Sequence, residues 1–257
     1  MKSARKVVLG ITLPLLLLAA YGLWTANYRN PYFPTLLAIA ERFQELWLFD
    51  RFVSDVLPSL RNLLTGYAIA VALGISIGLG LGRIRVLRLL FTPLLDFARS
   101  IPVIMLIPPF VLTLGIGDAS KLAIIALGAF FPIVLATIDG LRRTDPALID
   151  VTRALRLPIW KEITVAWLPS AAPSIAGGMQ TALQFAFILM VASEMLAAIR
   201  GLGYVTMQAQ LTFDSTSVWA GIVLLAILGF LLNLLFVSIR DHVLRWYVQS
   251  RASARSR

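Results

Sequence analysis

Long apolar runs separated by short charged segments set the pattern of this chain. The first run covers residues 7–24, behind Lys2, Arg5 and Lys6. About 20 apolar residues cross a bilayer as a helix. The run therefore predicts a retained first span, because a signal peptide has a shorter apolar region and a small-residue cleavage site. Further runs predict spans at about 59–82, 89–115, 121–141, 171–199 and 218–239. The third is interrupted by Asp96, Arg99, Pro102, Pro108 and Pro109, since proline removes a helix N–H donor and bends the helix. Asp96 and Arg99 stand one turn apart and suit a structural ion pair. In the second span, Gly74, Gly78 and Gly82 recur every fourth residue, a stripe that lets a neighbouring helix approach closely. The whole predicts an all-α integral membrane protein with six transmembrane helices.

Between the first two spans, Asn30-Pro31 and Phe33-Pro34 signal turns. Residues 35–49 then read as an amphipathic helix with Leu36, Ile39, Phe43 and Trp47 on one side. Glu41, Arg42, Glu45 and Asp50 keep it at the interface. The chain divides into residues 1–58 (first span and outer segment), a core at 59–247 with a polar loop at 142–170, and a basic tail at 248–257. Of the 23 Lys and Arg residues, sixteen fall in segments expected inside and six outside, with Arg99 within the third span. The excess places the loop and both termini in the cytoplasm.

Composition agrees with a multi-pass membrane protein: 59% of residues are apolar and the mean hydropathy is +0.84. A net charge of +10 would point to nucleic acid in a soluble protein. Here the basic residues fill the connections between spans, so no nucleic acid is expected. The absence of cysteine excludes disulfides and cysteine metal or redox sites. His242 is the lone histidine and reads as interfacial, so no metal site is expected. There is no Gly-rich Lys-Ser/Thr phosphate loop, no nucleophile–base set and no cofactor motif. The glycines at 74–82 read as helix packing. The chain is not expected to be an enzyme.

Two features carry candidate chemistry. Gln180, Gln184, Ser193 and Glu194 are polar residues within the fifth span. Lipid cannot satisfy such groups, so they are candidates for a translocation pathway. Glu194 could also pair with Arg200 and tie the end of its span to the next turn. The second feature is the loop. Asp145-Pro146 is a helix start. A helix to about residue 157 puts Leu148, Val151, Thr152 and Leu155 on one stripe, with Asp150, Arg153 and Arg156 elsewhere. Pro158 starts a second short helix with Trp160, Ile163 and Trp167 at helical spacing, ended by Leu168-Pro169.

The loop resembles the cytoplasmic "EAA" loop of permease subunits of ABC importers. That pattern is Glu-Ala-Ala, three residues, Gly, nine residues, Ile, any residue, Leu-Pro. Asp150 stands at the Glu position, Val151 and Thr152 at the Ala positions, Arg156 at the Gly position and Ala166 at the Ile position. Leu168 and Pro169 match. The spacing is intact, and Arg for Gly is a departure. The runs Ser59-Leu-Arg-Asn-Leu-Leu-Thr-Gly-Tyr, Arg99-Ser-Ile-Pro, Leu114-Gly-Ile-Gly-Asp, Phe131-Pro-Ile and Glu194-Met-Leu-Ala-Ala-Ile-Arg-Gly-Leu-Gly-Tyr occur in that order. Together they resemble permeases of the nitrate/sulfonate/taurine branch, over residues 52–247. The resemblance implies a type I importer (MetI-like) fold and a permease that works by alternating access. It also implies a second permease copy, cytoplasmic ATPase subunits that bind the ATP, and an extracytoplasmic substrate-binding protein. The solute would be small, nitrate-, sulfonate- or taurine-like or a vitamin precursor. ATPase coupling would fall to Asp150, Val151, Thr152, Arg153, Leu155, Arg156, Leu157 and Pro169. The rival expectation is an ion-coupled secondary carrier or channel, with Asp139 and Glu194 as the coupling charges.

Overall fold

The computed structural model describes residues 2–28 and 30–245, with side chains described from residue 12 on except at 49 and 50. The basic tail lies outside the described residues, as does Arg29. Among the described residues the structure is helical, with a single isolated β-bridge between Asn30 and Phe33.

The helices are α1 (Lys2–Asn27), α2 (Leu36–Phe43), α3 (Leu57–Arg83), α4 (Arg85–Arg99), α5 (Ile107–Leu114), α6 (Asp118–Arg142), α7 (Pro146–Ala154), α8 (Ile159–Glu162), α9 (Leu168–Ala197), α10 (Leu202–Leu211) and α11 (Ser215–Val243). Wide-turned π segments, Gln44–Asp50, Phe52–Val56 and Ile163–Trp167, join α2 to α3 and α8 to α9.

The centre is three long helices, α3, α6 and α9. α3 and α6 run parallel, with Gly66, Gly74, Gly78 and Gly82 meeting Ile125, Ile133, Thr137 and Leu141 in turn, and α9 runs antiparallel to both. The glycine stripe of α3 explains how the first two meet. A Cβ at Gly74 would lie 2.8 Å from Ile133 Cγ2, and one at Gly78 would lie 2.5 Å from Thr137 Cβ. The backbones therefore touch at a distance that a side chain would forbid. Gly140 meets Ala171 and Ser174 of α9 in the same way. The main core gathers Leu63, Ile124, Ile125, Ile133, Ala186, Leu189 and Met190 from these helices. α11 enters this core through Ala220 and Leu224 near its start. It is held by α9, α10 and α2, and α2 is fastened by Arg42, which reaches Ser217 Oγ (2.8 Å) and Asp214 Oδ2 (3.3 Å). Burial pushes the Asp214 carboxyl up, but the Ser217 hydroxyl and N–H with the Arg42 guanidinium more than offset it and hold it below the usual carboxylate range.

The structure corrects the number of spans. Six were expected. Among the described residues, four helical stretches are long and apolar enough to cross a membrane: Phe52–Arg83, Asp118–Arg142, Ile159–Ala197 and Ser215–Val243. The bent pair Arg85–Arg99 with Val103–Leu114 makes five if it counts as one span. Its 82° bend has a local cause. Pro102 caps a short 3₁₀ turn and Pro108 and Pro109 restart the helix, so the expected third span is two pieces. Asp96 and Arg99 do pair, at 3.0 Å, half-exposed at the end of α4. The expected first span falls on α1, whose side chains up to residue 11 are outside the described part. α1 is 26 residues long, and it is not among the spans counted over the described residues. The expectation that both termini lie in the cytoplasm went with six spans and is not carried over to a count of four or five.

Candidate functional site

α7 sits at one end of the α3–α6–α9 core, between α6 and α9. Asp145 caps it, its Oδ1 accepting the Ala147 N–H at 2.9 Å, and Pro146 occupies the first turn, where its missing N–H costs nothing. The helix closes with two reverse bonds: Arg156 N–H donates to Arg153 O (2.9 Å) and Leu157 N–H to Thr152 O (3.1 Å). This terminus needs a left-handed residue between cap and chain, and Arg156 supplies it with φ 48. Glycine takes this conformation freely, which gives the physical reason for Gly at that position of the EAA pattern. Arg156 is exposed. Arg156→Gly is therefore expected to raise stability by about 1 kcal/mol, once glycine's greater unfolded freedom is set against the relieved strain. Thermal unfolding in detergent measures it, and a lowered midpoint would contradict the strain argument.

Thr152 is buried and its hydroxyl donates to Ile149 O (2.7 Å). Ile149 packs against the cluster of Leu141, Trp167, Ala171 and Ile175. The outer face carries Leu148, Val151 and Leu155, the last 66% exposed. Thr152 thus leaves the stripe predicted for it and joins the inner face. Asp150 and Arg153 stand well out in solvent at 3.9 Å from each other, and Leu157 is half-buried. Pro169 lies in the first turn of α9.

α8 is fixed from below. Glu162, a buried residue, accepts Trp167 Nε1 on Oε1 at 2.8 Å and meets Arg83 Nη2 at 3.3 Å on Oε2. This link between α3 and the loop was not anticipated. Its only trace in the sequence is a glutamate five residues before a tryptophan.

The four polar residues of α9 separate. Gln180 donates from Nε2 to Asn233 Oδ1 (3.0 Å) and accepts from Arg240 Nη1 (2.7 Å), joining α9 to α11. Gln184 is exposed, beside Thr181, Phe185 and Ile188. Ser193 is buried and donates to Met190 O. Glu194 has no exposed surface. Its carboxylate lies 2.8–2.9 Å from Ser59 Oγ, accepts Gly203 N–H (3.1 Å) and faces Lys121 Nζ at 3.6 Å. Lys121 also donates to Arg200 O (3.4 Å). Asp55 joins through Gly201 N–H at 2.8 Å, and Leu202 N–H donates to Ser59 Oγ at 3.1 Å. Gly201 has φ +119, and a Cβ there would strike the Glu194 carboxyl. The partner of Glu194 is therefore Lys121 of α6, while Arg200 pairs with Asp118 at 3.6 Å. Asp139 is exposed and faces Arg142 at 3.8 Å. His242 is exposed, and no group of His, Asp or Glu able to hold a metal occurs among the described residues.

Residues 70–248 match the family model described as "Binding-protein-dependent transport system inner membrane component". The chain belongs to this family. It is 34% identical to a probable ABC transporter permease protein of Brucella abortus (strain 2308), over 85% of this chain and 87% of the relative. It is 30% identical to the putative aliphatic sulfonates transport permease protein SsuC of Bacillus subtilis (strain 168), over 83% of this chain and 77% of the relative. Its fold is similar to that of a chain in the inward-facing MetNI methionine ABC transporter, with TM-score 0.62 and 22% identity, covering 74% of this chain and 94% of that one. The protein is thus a multi-pass membrane permease component of an ABC-type importer. ATP hydrolysis lies with a partner subunit, and the carrier or channel reading does not stand.

Proposed function

We propose that two copies of this chain form the membrane pathway of an importer for a small solute of the sulfonate class, driven by two cytoplasmic ATPase subunits and fed by an external binding protein. Family membership supports the assembly, and the name of the Bacillus relative supports the solute class. Exposed Leu148, Val151 and Leu155 carry the rest of the reading. Three apolar side chains on the outer face of a short, well-capped helix suit a groove on a partner protein. In this reading α7 faces the cytoplasm, in line with the excess of Lys and Arg around it. The binding protein meets the opposite end, near residues 115–121 and 201–217. Closure of the ATPases moves α7, and α5, α6 and α9 change the side to which the pathway opens. Gln184 is the pathway candidate that presents its amide on the surface of α9. Gln180, Ser193 and Glu194 lie behind it, holding the helices that form the wall.

Co-purification in detergent tests this reading. The expected result is recovery of a stoichiometric ATPase and, after reconstitution with a binding protein, uptake that requires ATP. A chain that purifies alone and moves solute on an ion gradient without ATP would overturn it.

A further inference from the structure

The segment that joins α8 to α9 is not packed like the rest of the core. Ile163–Trp167 is a π segment, wider than an α-helix and one residue out of step with it, a feature frequent at functional sites. Beside it lies a cleft of about 360 Å³, lined by Leu79, Gly80 and Arg83 of α3, Leu141 of α6, and Ile163 and Trp167 of the segment itself. The space is open to the surface, with exposed Ser76 and Ile84 at its edge, so the loop has room to move against α3. Across that space the loop is held to α3 by the Glu162–Arg83 ion pair at 3.3 Å, and Glu162 is held in turn by the Trp167 indole at 2.8 Å. Arg83 has five N–H donors and spends one on Glu162.

We propose that Glu162, Arg83 and Trp167 form a joint that carries the displacement of α7 into α3 and α9, with the adjoining cleft as its stroke volume. Glu162 is a positioning residue, acting on the pathway through Arg83 and Trp167. Its two oxygens have separate duties. Oε1 keeps α8 in register with the start of α9, and Oε2 pulls the end of α3 along when the loop moves. The wide turns of Ile163–Trp167 allow the segment to shorten or extend without unfolding. This inference rests on the coupling role proposed for α7.

Gly80 offers a direct test. A Cβ there meets nothing within 4 Å, so Gly80→Leu adds a side chain at the wall of the cleft from a position with free space. Glu162→Gln keeps an acceptor for the Trp167 indole and removes the charge that holds Arg83. The readout is the ratio of substrate-stimulated to basal ATP hydrolysis of the reconstituted importer, with binding protein present. The expected result is a ratio lowered at least fivefold in both variants, with thermal midpoints no lower for Gly80→Leu. Glu162→Asp, which keeps both the charge for Arg83 and an acceptor for the Trp167 indole, should recover part of the ratio lost in Glu162→Gln. Leu155→Asp serves as the reference. If it abolishes stimulation while Gly80→Leu and Glu162→Gln stay within twofold of wild type, the joint is overturned and the coupling role of α7 stands. If Leu155→Asp also leaves stimulation intact, the coupling role fails and the joint with it.

Discussion

Leu155→Asp and, separately, Asp150→Arg are expected to abolish substrate-stimulated ATP hydrolysis while leaving the chain folded in the membrane. The folding part follows from exposure. Leu155 packs against no core cluster and is 66% exposed, so a carboxylate there stays in water. Its only intramolecular penalty is the unfavourable end of the helix dipole, about 0.3–1 kcal/mol. Asp150 faces Arg153 at 3.9 Å with both side chains well exposed, and such pairs contribute about 0–1 kcal/mol. The docking part follows from what an interface does to the same groups. A leucine at the centre of a protein–protein contact loses water on binding, and its replacement by a charge leaves an unpaired carboxylate buried. Losses of about 2–4 kcal/mol are usual for such anchors, which is roughly thirtyfold to a thousandfold in affinity. Reversal of charge at Asp150 acts through repulsion or a lost pairing on the partner side. Membrane yield, basal hydrolysis and stimulated hydrolysis measured side by side decide the matter. Wild-type stimulation in both variants would remove the coupling role from α7.

The parts of this molecule that could be read from its sequence are those set by local spacing. The α3 glycines recur every fourth residue, so a close-packed face follows from the helical period alone, and it does meet α6. Asp145-Pro146 marks the start of α7 because both the cap and the proline act within one turn. What depended on distant packing was read less well. A nine-residue helix leaves the edge of its buried face open, and Thr152 turns inward because Ile149 beside it is drawn to Leu141 and Trp167. Glu194 was matched with Arg200, its neighbour in the chain. Antiparallel packing of α6 and α9 brings Lys121 closer. Gln180 looked like pathway lining, but Arg240 returns from the end of α11 to hold it. The count of six spans failed where composition conceals geometry. Residues 89–115 are apolar enough to cross, yet three prolines and the Ser100 turn divide them at a sharp angle.

The departure at Arg156 shows the same division. In the sequence it reads as a broken motif. In the structure it is a preserved backbone, with arginine in the left-handed position where glycine would be unstrained. The loop geometry that presents Leu148, Val151 and Leu155 therefore survives the substitution.

The second large effect is expected at the buried knot. Glu194→Ala should lower the thermal midpoint by roughly 10 °C or more. Lys121 is 4% exposed and Glu194 is fully buried, so neither can turn to water when its partner is removed. Breaking one member of such a pair costs about 3–5 kcal/mol, and 1 kcal/mol shifts the midpoint of a chain of this size by about 2–4 °C. The alanine would also leave Gly203 N–H without its acceptor, and a buried donor left unmade adds about 1–3 kcal/mol. The informative experiment is a double-mutant cycle with isosteric changes. Glu194→Gln retains an oxygen for Ser59 and Gly203 but leaves the ammonium uncompensated. Lys121→Met leaves the carboxylate with its hydrogen bonds and no cation. Each alone should destabilise strongly, and the double variant, with no charge to bury, should lie closer to wild type than either. Midpoints measured in lipid nanodiscs give the cycle. A double variant that loses the sum of the two singles would show that the charges do not depend on one another. The expected coupling has a structural meaning. Ser59, Lys121 and Glu194 come from α3, α6 and α9, and the N–H groups they hold belong to residues 201–203, which start α10. The pair therefore ties all three core helices and the α10 turn into one body at the end opposite α7. A motion that begins at α7 can then be delivered to that end as a rigid displacement, since the helices cannot slip past one another there.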